Sequence, residues 1–140
     1  MPARWHLRHD QLDAEGYAGQ LFATMKPYAP PPPPGAQPAP RWGSEDHVRE
    51  LFGDRVADLG TERRTTTFDG CGTPVEFREY WKRNYGPTIA VYRNVADDPE
   101  RRAALDEAFL GFLTESNRAG EGQPGRWESE YLLVTGRIAG

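Results

Sequence analysis

The sequence predicts an α+β fold in which three strands and about five helices form a single domain of 140 residues. Three observations carry that expectation. Residues alternate in character along Arg4–His9 and Trp127–Ile138, and a β-branched run lies between them at Glu62–Phe68. Capping residues stand directly before several segments with helical apolar spacing. A proline-rich stretch separates the first helix from the rest.

Arg4-Trp5-His6-Leu7-Arg8-His9 places Trp5 and Leu7 on one face and Arg4, His6 and Arg8 on the other, the pattern of a strand with one wet face. Asp13 precedes a segment with apolar residues at Tyr17, Leu21, Phe22 and Met25, which predicts a helix from about Ala14 to Lys26 with Asp13 as its cap. Pro27 to Pro40 includes five consecutive prolines, Pro30 to Pro34. Proline removes the backbone donor and fixes φ, so this stretch reads as an extended, stiff connector.

Ser44 caps a short helix through Phe52, with Glu45 and Asp46 in its positive first turn and Gly53 at its close. A strand follows from about Thr61 to Asp69 and ends in the turn Gly70-Cys71-Gly72. Thr73-Pro74-Val75-Glu76 combines a capping box with proline at the first helical position, and the helix it opens puts Phe77, Tyr80 and Trp81 on one face. After a break at Gly86-Pro87, further helical turns add Ile89, Tyr92 and Val95. Asp98-Pro99 opens another helix to about Asn117, with Leu105, Phe109, Phe112 and Leu113 as its buried stripe. Gly120 to Gly125 is loop. In the last strand Tyr131, Leu133 and Thr135 alternate against Leu132 and Val134.

Composition narrows the function. The formal net charge of −4 argues against nucleic acid, because a phosphate-tracking surface needs clustered Lys and Arg in excess. The adjacent pairs Arg63-Arg64 and Arg101-Arg102 each lie beside acidic residues and read as solvated faces. The single cysteine, Cys71, can form no internal disulfide, and residues 1–5 show no basic segment followed by an apolar one, so the cytoplasm is the expected compartment. No run approaches the roughly 18 apolar residues of a membrane helix.

No catalytic group emerges. His6, His9 and His47 lack metal-chelating spacing. Cys71 lies in a glycine turn without a histidine to activate it. No glycine-rich turn joins a strand to a helix, so the sequence offers no cradle for a nucleotide-like cofactor. The carboxylates Asp97-Asp98 and Glu128 to Glu130 read as capping and solvated positions. Aromatic residues are the positive signal. Tyr80, Trp81 and Tyr85, with Tyr28 and Trp42 of the connector, either line a pocket or cover the sheet.

Asp13 through Phe22, the proline-rich turn after it, and Trp42-Gly43-Ser44-Glu45 through Gly53 resemble the C-terminal half of class I S-adenosylmethionine-dependent methyltransferases acting on small molecules. Glu62-Arg63-Arg64 through Phe68, Pro74 to Phe77, Tyr85 to Thr88, Asn117-Arg118 and Glu130-Tyr131-Leu132 continue in the order that family shows. The resemblance implies a three-stranded, mainly antiparallel sheet in the order five, seven, six of the family, covered by about five helices. It implies an acceptor-side half that binds a small organic molecule through Phe22, Met25, Trp42, Tyr80, Trp81 and Tyr85. S-adenosylmethionine would lie on the N-terminal half, so the isolated chain is expected to hold no cofactor and to transfer no methyl group alone. Three readings stand side by side. They are a small-molecule binder, a subunit completed by a separate cofactor-binding chain, and an interaction protein without ligand. The first strand has charge on alternate positions, as at a managed sheet edge, and an exposed edge there invites a homodimer.

Overall fold

The computed structural model describes residues 4–9, as a strand path, together with 16–37 and 39–139. The elements are β1 (Arg4–His9), α1 (Tyr17–Met25), α2 (Glu45–Phe52), β2 (Val56–Phe68), α3 (Pro74–Asn84), α4 (Gly86–Asn94), α5 (Pro99–Ser116) and β3 (Trp127–Ile138). Short 3-10 turns occur at Lys26–Tyr28, Ala39–Gly43 and Gly53–Arg55. The expected cap Asp13 and the helix start at Ala14 lie outside the described residues, as does Pro38 of the connector.

Local chemistry explains most helix ends. The Ser44 hydroxyl accepts a hydrogen bond from the His47 amide at 3.4 Å, and Gly53 closes α2 at φ 50°. In α3, Thr73 Oγ1 accepts from the Glu76 amide at 3.2 Å while Glu76 Oε2 accepts from the Thr73 amide at 2.7 Å, a complete capping box with Pro74 behind it. Asp98 Oδ1 accepts from the Arg101 amide at 3.0 Å and starts α5. Tyr85 serves α3 and α4 at once. Its amide donates to Trp81 O at 3.0 Å and its carbonyl accepts from Ile89 N at 2.9 Å.

The chain divides into two compact units. One gathers residues 37–66 and 129–140 with the first 19 residues, and therefore holds β1, α2 and most of β2 and β3. Its strand order is β1-β3-β2. β1 runs antiparallel to β3 with Arg4 opposite Arg137 and His9 opposite Leu132. Beyond β3, Arg55 O accepts from Ala139 N at 3.0 Å, and Arg137 forms an ion pair with Asp58. A Cβ at Gly60 would lie 2.9 Å from Thr135 Oγ1, so glycine permits the close approach there. Val48, Leu132 and Val134 form this unit's core, with Trp42, Phe52 and Leu59 packed against it.

The other unit comprises residues 20–36 and 67–128. Its interior is made by Leu21 and Met25 of α1, Phe77 of α3, Val91 of α4, the α5 stripe Leu105, Phe109, Phe112 and Leu113, and Trp127. The indole of Trp127 donates to Leu113 O at 2.8 Å, which satisfies its one polar atom inside the core.

The α+β class stands, but the expected three-stranded antiparallel sheet covered by about five helices is corrected. Regular residue-by-residue register joins two strands, β1 and β3. β2 stands next to β3 in the strand order, is exposed at about half of its positions, and carries Asp58 at φ 53°. Only α2 belongs wholly with the strands. The physical reason is that α3, α4 and α5 bury their apolar stripes within a unit of their own. β2 also starts at Val56 and not at about Thr61. Neighbouring β3 accommodates Asp58 through its ion pair with Arg137 and Gly60 through the close approach of Thr135.

Candidate functional site

The richest concentration of aromatic side chains is on and around α3. Phe77 is fully buried, and its ring centroid lies 4.3 Å from Trp127, 5.5 Å from Trp81 and 5.8 Å from Phe68. Trp81 meets Tyr85 edge-on at 4.8 Å, and Tyr80 stacks on Phe77 at 6.4 Å with 53% of its surface exposed. Three of the six residues expected to line a pocket, Tyr80, Trp81 and Tyr85, are thus brought together. They pack on one another and on the core.

The other three are not part of that ring cluster. Met25 is 2% exposed, and its sulfur accepts a hydrogen bond from the buried Thr88 hydroxyl at 3.5 Å, which makes it an interior residue. Phe22 is half-buried on α1. Trp42 belongs to the strand-containing unit, against Val48, Leu132 and Val134, with its ring edge-on to His47 at 6.2 Å.

An open hollow of about 560 Å³ lies between α1 and α5. Gln20, Ala23, Thr24 and Pro27 form one wall at the i, i+3, i+4, i+7 spacing of a single helix face. Ala108, Gly111, Phe112 and Glu115 repeat that spacing on the other. Tyr28 also lines the hollow. The rim is fixed in place by two hydrogen bonds, from Asn94 Nδ2 to Tyr28 O at 2.9 Å and from Arg101 to Pro27 O at 3.0 Å. The hollow exists because small side chains face each other. A Cβ at Gly111 would meet nothing within 4 Å. Among the described residues Glu115 is the one charged lining residue, and Gln20 and Tyr28 add an amide and a phenol to the lining. Such a surface suits an uncharged or amine-bearing organic molecule with an apolar body.

Apart from Tyr28, none of these lining residues is marked as a ligand contact by the sequence alone. Its signal, small residues on one face each of α1 and α5, acquires meaning only when the two helices are neighbours.

A polar cluster braces α3, α4 and α5. Lys82 Nζ lies 3.1 Å from Asp106 Oδ1 and 3.2 Å from Glu79 Oε1, the Tyr92 hydroxyl donates to Asp106 Oδ1 at 2.7 Å, and Arg78 donates to Asp106 O at 3.2 Å. Partial burial acts against the Asp106 charge, but hydrogen bonds from Tyr92 and Lys82 and the positive charges of Lys82 and Arg78 outweigh it. They hold this carboxyl below its ordinary range. Burial first, then the Asp106 carboxylate, pushes the Tyr92 phenol well up, so Tyr92 stays a neutral donor. Burial and the Asp69 charge also raise Cys71, which keeps it a protonated thiol. Among the described residues no group of three or more His, Cys, Asp or Glu side chains could hold a metal ion, and no helix is long and apolar enough to cross a membrane.

The fold and hollow define an α+β protein with a cavity of small-molecule size in a helical unit. No family model matches the chain. It is 44% identical over 123 residues to the uncharacterized protein Rv1403c of Mycobacterium tuberculosis, and equally so to the uncharacterized protein Mb1438c of Mycobacterium bovis, matches that span 88% of this chain and 43% of each of those proteins. It is 34% identical over 121 residues to the uncharacterized protein Rv1405c of M. tuberculosis, which spans 86% of this chain and 42% of that protein. The chain therefore spans less than half the length of the curated relatives it matches.

Proposed function

We propose that the chain is the acceptor-side part of a methyltransferase-like protein, a segment that binds a small organic molecule while S-adenosylmethionine is held by other residues of a longer polypeptide. The hollow between α1 and α5 carries this reading. Its volume of about 560 Å³ falls within the roughly 300–1,000 Å³ of sites for organic ligands, and its walls combine apolar surface with a few polar groups. The greater length of the mycobacterial relatives supports it, since more than half of each lies outside the match and leaves room for a cofactor-binding portion. The reading assigns the cytoplasm, where a single reduced cysteine is ordinary.

Calorimetry tests the division of labour. The 140-residue chain should show no affinity for S-adenosylmethionine, and full-length Rv1403c should bind it in the micromolar range. Binding by the short chain, or none by the full-length relative, overturns the reading. A thermal-shift screen of small aromatic and polycyclic molecules should yield a stabilising ligand, and Gly111→Leu should abolish its effect.

A second reading is a subunit completed by another chain, favoured by the place of β1 at the end of the strand order. A strand added there could come from a separate cofactor-binding protein or from a second copy. Sedimentation at micromolar concentration should then give about twice the chain mass, or a complex with the partner, and Leu7→Pro should dissociate it by removing an edge amide.

A further inference from the structure

We propose that a second, smaller hollow on α3, α4 and α5 binds a small organic anion, with its carboxylate or phosphate held by Arg93 and Arg102 and its apolar body resting on Ile89, Ala96 and the ring of Tyr92. This site is independent of the acceptor-side reading. Its volume is about 270 Å³, just below the roughly 300 Å³ at which drug-sized sites begin, so its occupant is small.

Charge is the first argument. Of the six lining residues among those described, three are cations, Lys82, Arg93 and Arg102, and none is an acid, although the chain as a whole carries a net charge of −4. A general excess of basic residues therefore does not explain the cluster.

The second argument is how the three cations are used. Lys82 is committed, because Glu79 and Asp106 hold its ammonium from two sides. Among the described residues, no carboxylate lies within ion-pair distance of Arg93 or Arg102, and both are exposed. Two guanidinium groups thus border the same hollow with their hydrogen-bonding capacity unspent. Guanidinium is the side chain whose planar donor pairs match a carboxylate or phosphate edge.

The third argument is the floor. Asp106, the acid nearest to Tyr92, receives both the phenol and the ammonium, so its charge is met before an incoming anion would feel it. The same hydrogen bond orients the Tyr92 ring, with Lys82 Nζ 4.6 Å from its centroid. Ile89 and Ala96 supply apolar surface from the next turns of the chain.

The test titrates the 140-residue chain with sodium benzoate and, separately, inorganic phosphate, at constant ionic strength, following backbone amides by NMR. Saturable shifts centred on Ile89, Tyr92, Arg93, Ala96 and Arg102 are expected, with an affinity loss of about tenfold or more in the double variant Arg93→Ala/Arg102→Ala. Tighter binding of benzoate than phosphate identifies a carboxylate with an apolar body, and the reverse identifies a phosphate group as the feature read. Because both arginines are exposed, the variant's spectrum away from the hollow should be unchanged. Should it not be, Arg93→Gln alone serves the same purpose. Shifts that fail to saturate for both anions, or a variant that binds as the parent does, overturn the proposal.

Discussion

Gly111→Ala should make the protein more stable. Gly111 lies in the interior of the 18-residue helix α5, is exposed, and faces open space in the larger hollow, with no atom within 4 Å of where a Cβ would stand. No contact is lost and no clash is created, so the helix-propensity difference acts alone. Glycine in a helix interior is about 0.8–1.0 kcal/mol less favourable than alanine, chiefly because the unfolded chain is freer with glycine. Unfolding entropy of about 2.1 cal/mol/K per residue, taken over this chain, is roughly 0.29 kcal/mol/K, so the gain corresponds to a rise in Tm of about 3 °C. Differential scanning calorimetry and urea denaturation measure it. The urea midpoint should rise with no change in the slope of free energy against urea. Gly111→Leu extends the same reasoning, because leucine is nearly as good a helix former yet its side chain would occupy the hollow. A destabilised Gly111→Ala would refute the picture of empty space between α1 and α5. Stabilisation by alanine but loss with leucine would mean a groove narrower than the structure shows.

Two further predictions rest on local contacts. The Asp106 carboxyl is held below its ordinary pKa of about 3.9, so its contribution to stability is complete above that value and is lost as pH falls through the lower, folded-state value. Asp106→Asn should therefore flatten the acid side of the stability profile below about pH 4, and identical slopes for the two proteins would contradict the brace described for it. Gly125→Ala should destabilise by roughly 1–3 kcal/mol, as overpacking does. The added Cβ would run into the Trp127 ring and come 2.7 Å from Gly72 O, and a urea midpoint unchanged from the parent would show that this loop yields freely.

Helix starts were the most legible part of the chain. Ser44, the Thr73–Glu76 pair and Asp98 each act through a neighbour three residues away, so a local reading finds them. The stripe of α5 was legible for the same reason, as its period needs no partner to be seen. β2 was less so. Whether Asp58 and Gly60 end a strand or bend it depends on β3, some 75 residues further on. The site was least legible. Large apolar and aromatic residues signal burial and ligand contact equally well, and Met25, expected in a pocket, is 2% exposed. The larger hollow is made by what α1 and α5 lack, and an absent side chain leaves a mark only when two helices are known to face one another.

Tryptophan is distributed so that each unit carries its own optical label. Trp127 is wholly enclosed, with its indole N–H bonded to a helix carbonyl, whereas Trp42 is half-buried beside a histidine in the strand-containing unit. Emission from the first should be blue-shifted, and emission from the second should respond to quenching by His47. Keeping one of these two at a time, with the other three of the four tryptophans replaced by phenylalanine, therefore turns ordinary fluorescence into two separate melting curves from one polypeptide. Coincidence or divergence of those curves would reveal whether the units form a single cooperative block.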